Sequence, residues 1–107
     1  MPNDVEHKMA MNQLVRERKK AGKPVWEYNL DLSFIELDPE ENWEAYRDQV
    51  TYAIKNSAWY ADKGKEDSTL WWIVDEFKDS ENREHGSYVF DALYDEADHD
   101  RCWIRSH

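Results

Sequence analysis

The most regular pattern in the chain is an alternation of apolar and polar residues along VWEYNLDLSFI, residues 25–35. Its apolar face comprises Trp26, Tyr28, Leu30, Leu32 and Phe34. A period of two is typical of a strand with one buried face and one solvated face. Because an isolated strand leaves its backbone N–H and C=O groups unpaired, the pattern also predicts a second strand.

Few segments could supply that second strand. The stretches RCWIR, residues 101–105, and SAWYA, residues 57–61, are the remaining candidates for an extended conformation. The strand could also pair with its own copy in a second molecule, because an open sheet edge promotes such contacts. We therefore expect pairing either with a short C-terminal segment or across a homodimer.

A strong helix signal follows the strand, over residues 39–57. Asp38 is the predicted N-cap, Pro39 suits the first helical position, and Glu41 completes a capping box. The predicted apolar stripe comprises Trp43, Tyr46, Val50 and Ile54. The segment from Ala58 to Glu66 is expected to end this helix.

Two further helices are predicted, separated by a polar link at residues 79–87. The first begins at Asp67 or Ser68, and the second runs from about Ser87 to Asp98. Their apolar stripes comprise Leu70, Ile73, Val74 and Phe77 in the first, and Val89, Phe90, Leu93 and Ala97 in the second. Both stripes have the spacing of a helix with one buried face.

The N-terminal segment, residues 3–21, predicts a helix that Asn3 or Asp4 caps and that Gly22 and Pro24 terminate. Its thin apolar stripe comprises Val5, Met9, Leu14 and Val15. Its basic end, RERKK, is expected to be a solvated helix end that leans on the acidic remainder of the chain. The alternative is a basic arm that binds nucleic acid or an acidic partner.

These elements predict a mostly helical α+β fold, with about four helices and one amphipathic strand, residues 25–35. A chain of 107 residues with 15 aromatic side chains can form one hydrophobic core. We divide it into a basic N-terminal helix or arm, residues 1–24, and a single acidic α+β domain, residues 25–107.

The charge is unevenly distributed between these two regions. Residues 1–24 carry six basic and three acidic side chains, a net +3, whereas residues 25–107 carry eight basic and twenty-one acidic ones, a net −13. A domain this acidic repels nucleic acid and anionic membranes and attracts basic macromolecules. The alternative is that the acidity serves only to keep a tryptophan-rich domain in solution.

Three aspartates on the last predicted helix are expected to share one face. Asp91, Asp95 and Asp98 are spaced by about one helical turn and form what we call the acidic ridge. Such a ridge could meet lysine and arginine side chains on a partner, as in proteins that mimic DNA by charge. The alternative is a solvated helix face without a partner.

A second candidate contact is an aromatic residue on the preceding helix. Trp72 points away from the predicted apolar stripe and is flanked along the helix by Asp75 and Glu76. Tryptophan is enriched among the residues that dominate protein interfaces, so this group is a candidate anchor for a partner. The alternative is that Trp72 packs under a loop or under the N-terminal helix.

The sequence carries no recognisable enzyme signature, and we expect a protein without catalytic residues. The tetrad Asp95–Asp98 spells the motif that names a class of RNA helicases, but no glycine-rich phosphate loop accompanies it. The pair Glu96 and His99 has the spacing of a di-iron ligand pair, but the second pair that such a site needs is missing. We expect neither a metal nor a cofactor.

The lone Cys102 fits a reducing compartment and is expected to be a small buried apolar group. The N-terminal residues contain no long apolar run, and no window approaches a membrane span. We therefore expect a cytoplasmic protein that contacts neither membrane nor nucleic acid directly.

Together these features favour a non-catalytic acidic binding protein that engages a basic macromolecule. Its most specific form is an inhibitor of the kind that phages and plasmids encode, which imitates DNA and blocks a nucleic-acid-binding host defence protein. The expected contact residues are Asp91, Asp95, Asp98, Trp72, Asp75 and Glu76. The alternative is a small homodimeric structural or regulatory domain whose acidity serves only solubility.

Overall fold

A computed structural model describes residues 4–22, 26–64 and 68–106. The helices within these ranges are α1 (Asp4–Lys20), α2 (Trp43–Lys55), α3 (Ser68–Lys78) and α4 (Arg83–His99), and a π-helical turn, Tyr60–Gly64, precedes α3. Two short strands, β1 (Tyr28–Asp31) and β2 (Cys102–Arg105), complete the fold. The predicted class, mostly helical α+β with about four helices, is confirmed.

The partner of the first strand is the C-terminal segment of the same chain. β1 and β2 form a two-stranded parallel sheet in which Tyr28 lies beside Cys102 and Leu30 beside Ile104. The other candidate, residues 57–61, forms no strand: residues 58–59 are helical and residues 60–61 begin the π-helical turn. Because β1 finds its partner within one chain, pairing across a dimer is not needed to satisfy its backbone.

One hydrophobic core joins the sheet to α2, α3 and α4. Its buried apolar side chains are Leu30, Leu32, Ile35, Val50, Ile54, Trp59, Leu70, Ile73, Val74, Phe77, Val89, Phe90, Leu93, Tyr94, Ala97, Cys102 and Ile104. The stripes predicted for α3 and α4 are therefore buried as expected. In α2, Val50 and Ile54 are buried, while Trp43 and Tyr46 pack against the core half-buried.

The first strand is shorter than its alternating pattern predicted. The carboxylate of Asp31 accepts hydrogen bonds from the Ser33 backbone N–H (2.9 Å) and hydroxyl (2.5 Å), which turns the chain. Beyond this turn Phe34 is 61% exposed and Ile35 is buried instead. The prediction that Phe34 lies on the apolar face is wrong, because the local turn ends the alternation at Leu32.

The second helix begins later than predicted. Asn42 is the N-cap of α2, and its side-chain oxygen accepts a hydrogen bond from the Ala45 N–H at 3.1 Å. The carboxylate of Asp38 instead accepts from the Glu40 N–H at 2.8 Å, within a separate turn over residues 38–42. The predicted cap at Asp38 is wrong because two capping residues occur in succession and the second one starts the helix.

The last helix begins earlier than predicted. Asn82 caps α4, and its side-chain oxygen accepts a hydrogen bond from the His85 N–H at 2.9 Å, so residues 83–87 are helical and not part of a link.

A glycine lies inside this helix. Gly86 has a low helix propensity, which favours a helix break, but it lies within α4. The indole of Trp43 packs directly on it: a Cβ at Gly86 would lie 2.1 Å from two ring carbons. This contact explains a glycine in a helix interior.

A left-handed residue turns the chain from α4 into β2. Arg101 has a φ of +57°, a conformation that usually belongs to glycine after a helix. Its backbone carbonyl accepts a hydrogen bond from the Glu27 N–H at 2.9 Å, and its guanidinium pairs with the Glu27 carboxylate. Two contacts with the segment before β1 thus hold Arg101 in this conformation.

The N-terminal helix contributes less to the core than the others. Leu14 and Val15 of α1 are half-buried, whereas Met9, from the same predicted stripe, is 66% exposed. The backbone of Gly22 has a φ of +70° and ends α1 as predicted. The predicted caps Asn3 and Asp67, the predicted terminator Pro24 and the side chain of Val5 lie outside the described residues.

Substitution of Gly86 by alanine should test the contact between α2 and α4. In a free helix this change stabilises by about 1 kcal/mol, but the steric overlap with Trp43 should outweigh that gain and lower the free energy of unfolding by about 1–3 kcal/mol. Urea denaturation followed by circular dichroism measures the difference. In a Trp43→Ala background the same substitution should become stabilising; destabilisation in both backgrounds would contradict the proposed overlap.

Candidate partner-binding surface

The acidic ridge lies on the outer face of α4, although its three members differ in exposure. Asp91 and Asp95 are exposed, while Asp98 is half-buried, with carboxylate oxygen Oδ1 enclosed by the protein. Asp98 therefore lies on the flank of the ridge, and Asp91 and Asp95 are its accessible part.

Two residues that sequence reasoning missed extend the exposed face toward the start of α4. Glu84 is exposed and Tyr88 is 73% exposed, and with Asp91 and Asp95 they repeat at the spacing of successive helical turns. Glu84 was assigned to a polar link because α4 was expected to begin at Ser87. Recognition of Asn82 as the cap would have placed Glu84 on this face.

No basic side chain among the described residues forms an ion pair with the exposed carboxylates of this face. Among the described residues, Glu84, Asp91 and Asp95 make no ion pair. Elsewhere in those ranges, ion pairs join Arg47 to Glu44 and Asp48, Arg83 to Glu40, Arg101 to Glu27, and His85 to Glu76. These basic side chains pair away from Glu84, Asp91 and Asp95, so this part of the α4 surface is negative.

A cleft opens where this face meets the turn before α2. It has a volume of about 670 Å³, and we call it the α4 cleft. Its lining residues are Pro39, Glu40, Trp43, Glu81, Asn82, Arg83, Glu84, Ser87, Tyr88 and Asp91. Four of these are carboxylates, and the one basic side chain, Arg83, is bonded to Glu40. The cleft is therefore continuous with the ridge and shares its negative charge.

The predicted aromatic anchor on α3 is accessible. Trp72 is 63% exposed and points away from the core, so it does not pack under a loop or under α1. Asp75 and Glu76 are half-buried, and the Glu76 carboxylate lies 3.6 Å from Nε2 of His85. The Asp75 carboxylate acts on Tyr60: the pKa of Tyr60 is raised mainly by burial and, second, by the negative charge of Asp75. The two carboxylates flanking Trp72 thus face groups of the protein itself.

Two more aromatic side chains are exposed: Trp71, next to Trp72 on α3, at 49%, and Tyr52 on α2, at 71%. Exposed aromatic side chains of this size are costly in water and are typical of surfaces that contact other molecules. Tyr52 lies opposite the buried stripe of α2, as the helical spacing predicts.

A second cleft, of about 630 Å³, separates the end of α1 from the body. Its charged lining residues have mixed sign: Glu17, Arg18, Glu27, Lys63, His99, Asp100 and Arg101. Since acidic and basic side chains both line this cleft, it has no single preference for a cation or an anion.

The single cysteine is chemically protected. Cys102 is fully buried, and burial, followed by the charge of Asp100, raises the pKa of its thiol to about 12. Asp100 itself accepts a hydrogen bond from Nε1 of the buried Trp59 at 2.8 Å. Because the thiolate is the reactive form of cysteine, this residue is a structural group and not a nucleophile.

Within residues 4–22, 26–64 and 68–106, no three histidine, cysteine, aspartate or glutamate side chains converge as a metal site requires. No helix in the same part of the chain is long and apolar enough to cross a membrane.

Comparison with known proteins adds no assignment. No protein-family model, no curated protein sequence and no solved structure matches this chain.

Truncation of Trp72 to alanine should leave stability nearly unchanged, because surface substitutions usually alter the free energy of unfolding by less than about 0.5 kcal/mol. Trp59→Ala is the matched control, since Trp59 is fully buried, and it should cost about 3–5 kcal/mol. Thermal or urea unfolding measures both. A large loss for Trp72→Ala would mean that this side chain packs in the fold.

Cys102 should not react with thiol reagents at pH 8 while the protein is folded. The pKa of about 12 leaves almost no thiolate at that pH, and the side chain is buried. Labelling with 5,5′-dithiobis(2-nitrobenzoate) should be complete within minutes in 6 M guanidinium and at least about a hundredfold slower in native buffer. Equal rates in the two buffers would contradict the burial.

Proposed function

We propose that this protein is a non-catalytic binding protein that uses the acidic ridge to engage a basic macromolecule. In its most specific form it is an inhibitor of the phage or plasmid type, which occupies the nucleic-acid site of a host defence protein. The observation that carries this proposal is the exposed face of α4, where Glu84, Asp91 and Asp95 have no ion pair among the described residues.

The spacing of these carboxylates supports an extended contact. From Glu84 to Asp95 the face advances eleven residues along α4, which corresponds to about 16 Å at the rise of an α-helix. A row of negative charges of this length complements a groove lined with lysine and arginine side chains, which is how proteins hold the phosphates of nucleic acids.

Long-range electrostatics favours the same partner. The net charge of −13 on residues 25–107 accelerates encounters with basic proteins and slows encounters with nucleic acid. Trp72, with Asp75 and Glu76 beside it, is a candidate second contact, because an exposed tryptophan buries a large apolar area when a partner covers it. We place this activity in the cytoplasm, where the unpaired Cys102 stays reduced.

The proposal predicts that the protein competes with DNA for a basic DNA-binding protein. Core histones holding a fluorescent DNA duplex serve as the probe, and release of the duplex is followed by anisotropy. The wild-type protein should release it, less effectively as salt rises. The variant Glu84→Gln/Asp91→Asn/Asp95→Asn should need at least about tenfold more protein, because three charge contacts are lost.

A matched control carries the same change of net charge at exposed positions outside α4: Glu36→Gln/Glu41→Gln/Asp79→Asn. It should release the duplex nearly as well as wild type, and Asp98 is kept in both variants because it is half-buried. Equal loss in the two variants would mean that only net charge matters. Undiminished release by the variant changed at Glu84, Asp91 and Asp95 would exclude the exposed face of α4 as the contact.

A further inference from the structure

The α4 cleft has aromatic side chains in its walls and carboxylates at its opening, whereas the acidic ridge consists of carboxylates alone. We propose that this cleft binds an arginine side chain of the basic partner. The inference deepens the proposed function and rests on it, since it names the group of the partner that the surface recognises.

The inner wall of the cleft is held rigidly. The indole of Trp43 packs against the backbone at Gly86 and lies 5.7 Å from the ring of Phe77, nearly perpendicular to it. Its Nε1–H donates a hydrogen bond to the Ser80 carbonyl at 3.1 Å. Because the indole nitrogen is already engaged, the half-buried part of Trp43 that faces the cleft is an apolar surface.

The outer wall is an accessible aromatic ring. Tyr88 is 73% exposed and lies on α4 between Glu84 and Asp91, each about one helical turn away. Its ring has no stacking partner among the described residues. A flat cation that enters the cleft can therefore stack on Tyr88 and gain a cation–π contact.

The charges of the cleft favour a cation that donates several hydrogen bonds. Arg83 is bonded to Glu40, which neutralises one carboxylate. The carboxylates of Glu81, Glu84 and Asp91 stay without a partner among the described residues and surround the opening. An anion or a neutral apolar group would leave these charges uncompensated.

Arginine meets these conditions better than lysine. Its guanidinium is planar, stacks on aromatic rings, and presents a fork of donors that fits carboxylates, whereas the lysine ammonium is a compact and strongly hydrated charge. The volume of about 670 Å³ lies within the ~300–1,000 Å³ typical of ligand sites, so the cleft also has room for the neighbouring residues of the partner.

The test compares octa-arginine with octa-lysine, two peptides of equal charge, by isothermal titration calorimetry. The wild-type protein should bind octa-arginine about fivefold to tenfold more tightly than octa-lysine, the preference expected for one stacked, bidentate contact. The variant Glu81→Gln/Tyr88→Ala should lose this preference and retain the binding common to both peptides. Neither substituted residue belongs to the acidic ridge.

The control variant Glu36→Gln/Tyr52→Ala removes one exposed carboxylate and one exposed tyrosine elsewhere, and should keep the preference. In nitrogen-15 spectra the indole resonance of Trp43, assigned through Trp43→Phe, should shift with octa-arginine in the wild type and in the control variant. Circular dichroism should show all three proteins folded, because the four substituted side chains are exposed.

The outcomes separate the two proposals. Equal binding of the two peptides by the wild-type protein, or a preference that survives in Glu81→Gln/Tyr88→Ala, overturns the cleft and leaves the ridge standing. An unmoved Trp43 indole resonance also overturns the cleft. Binding of neither peptide, together with no release of DNA from histones, overturns both.

Discussion

The close contact between Trp43 and Gly86 sets how closely the start of α2 approaches the start of α4. A helix backbone can approach an indole this closely only where no Cβ intervenes, and Gly86 supplies that position. The Ser80 carbonyl accepts hydrogen bonds from both Trp43 Nε1 (3.1 Å) and Arg47 Nη1 (2.9 Å). The start of α4 is thus fixed to α2 through packing and through the link that precedes it.

The other end of α4 is fixed by a different set of interactions. Arg101 reverses the chain in a left-handed conformation and bonds Glu27 through its backbone and its side chain. Asp100 accepts a hydrogen bond from the buried Trp59. Because α4 is held at both ends, the carboxylates on its outer face project from a rigid helix, which lowers the conformational entropy that this protein loses when a partner binds.

The correct predictions are those that follow from the spacing of side chains along a single element. They are the apolar stripes of α3 and α4, the need of the strand for a partner, and the outward direction of Trp72. Helix starts were predicted less well. At Asp38 a capping signal formed its own turn, and Gly86, which was placed in the predicted polar link at residues 79–87, lies inside α4 against Trp43.

The α4 cleft could not be predicted because it depends on a non-local contact. Its two sides come from residues 39–43 and 81–91, which are distant in sequence and meet only because Trp43 packs on α4. With α4 expected to begin at Ser87, Glu81 and Glu84 belonged to the predicted polar link at residues 79–87. Asp91 and Asp95 were predicted correctly on α4, since they fall within the part of the helix that the apolar stripe already defined.

The placement of the basic residues links the fold to the charge of the surface. Arg47, Arg83 and Arg101 each bond a group that connects two segments of the chain: the Ser80 carbonyl, Glu40 and Glu27. These guanidinium groups therefore link α2, α4 and β1 to neighbouring segments of the chain. Arg83 and Arg101 also neutralise the carboxylates of Glu40 and Glu27. Among the described residues, Glu84, Asp91 and Asp95 on the outer face of α4 have no such ion-pair partner, so their charges can attract cations from outside.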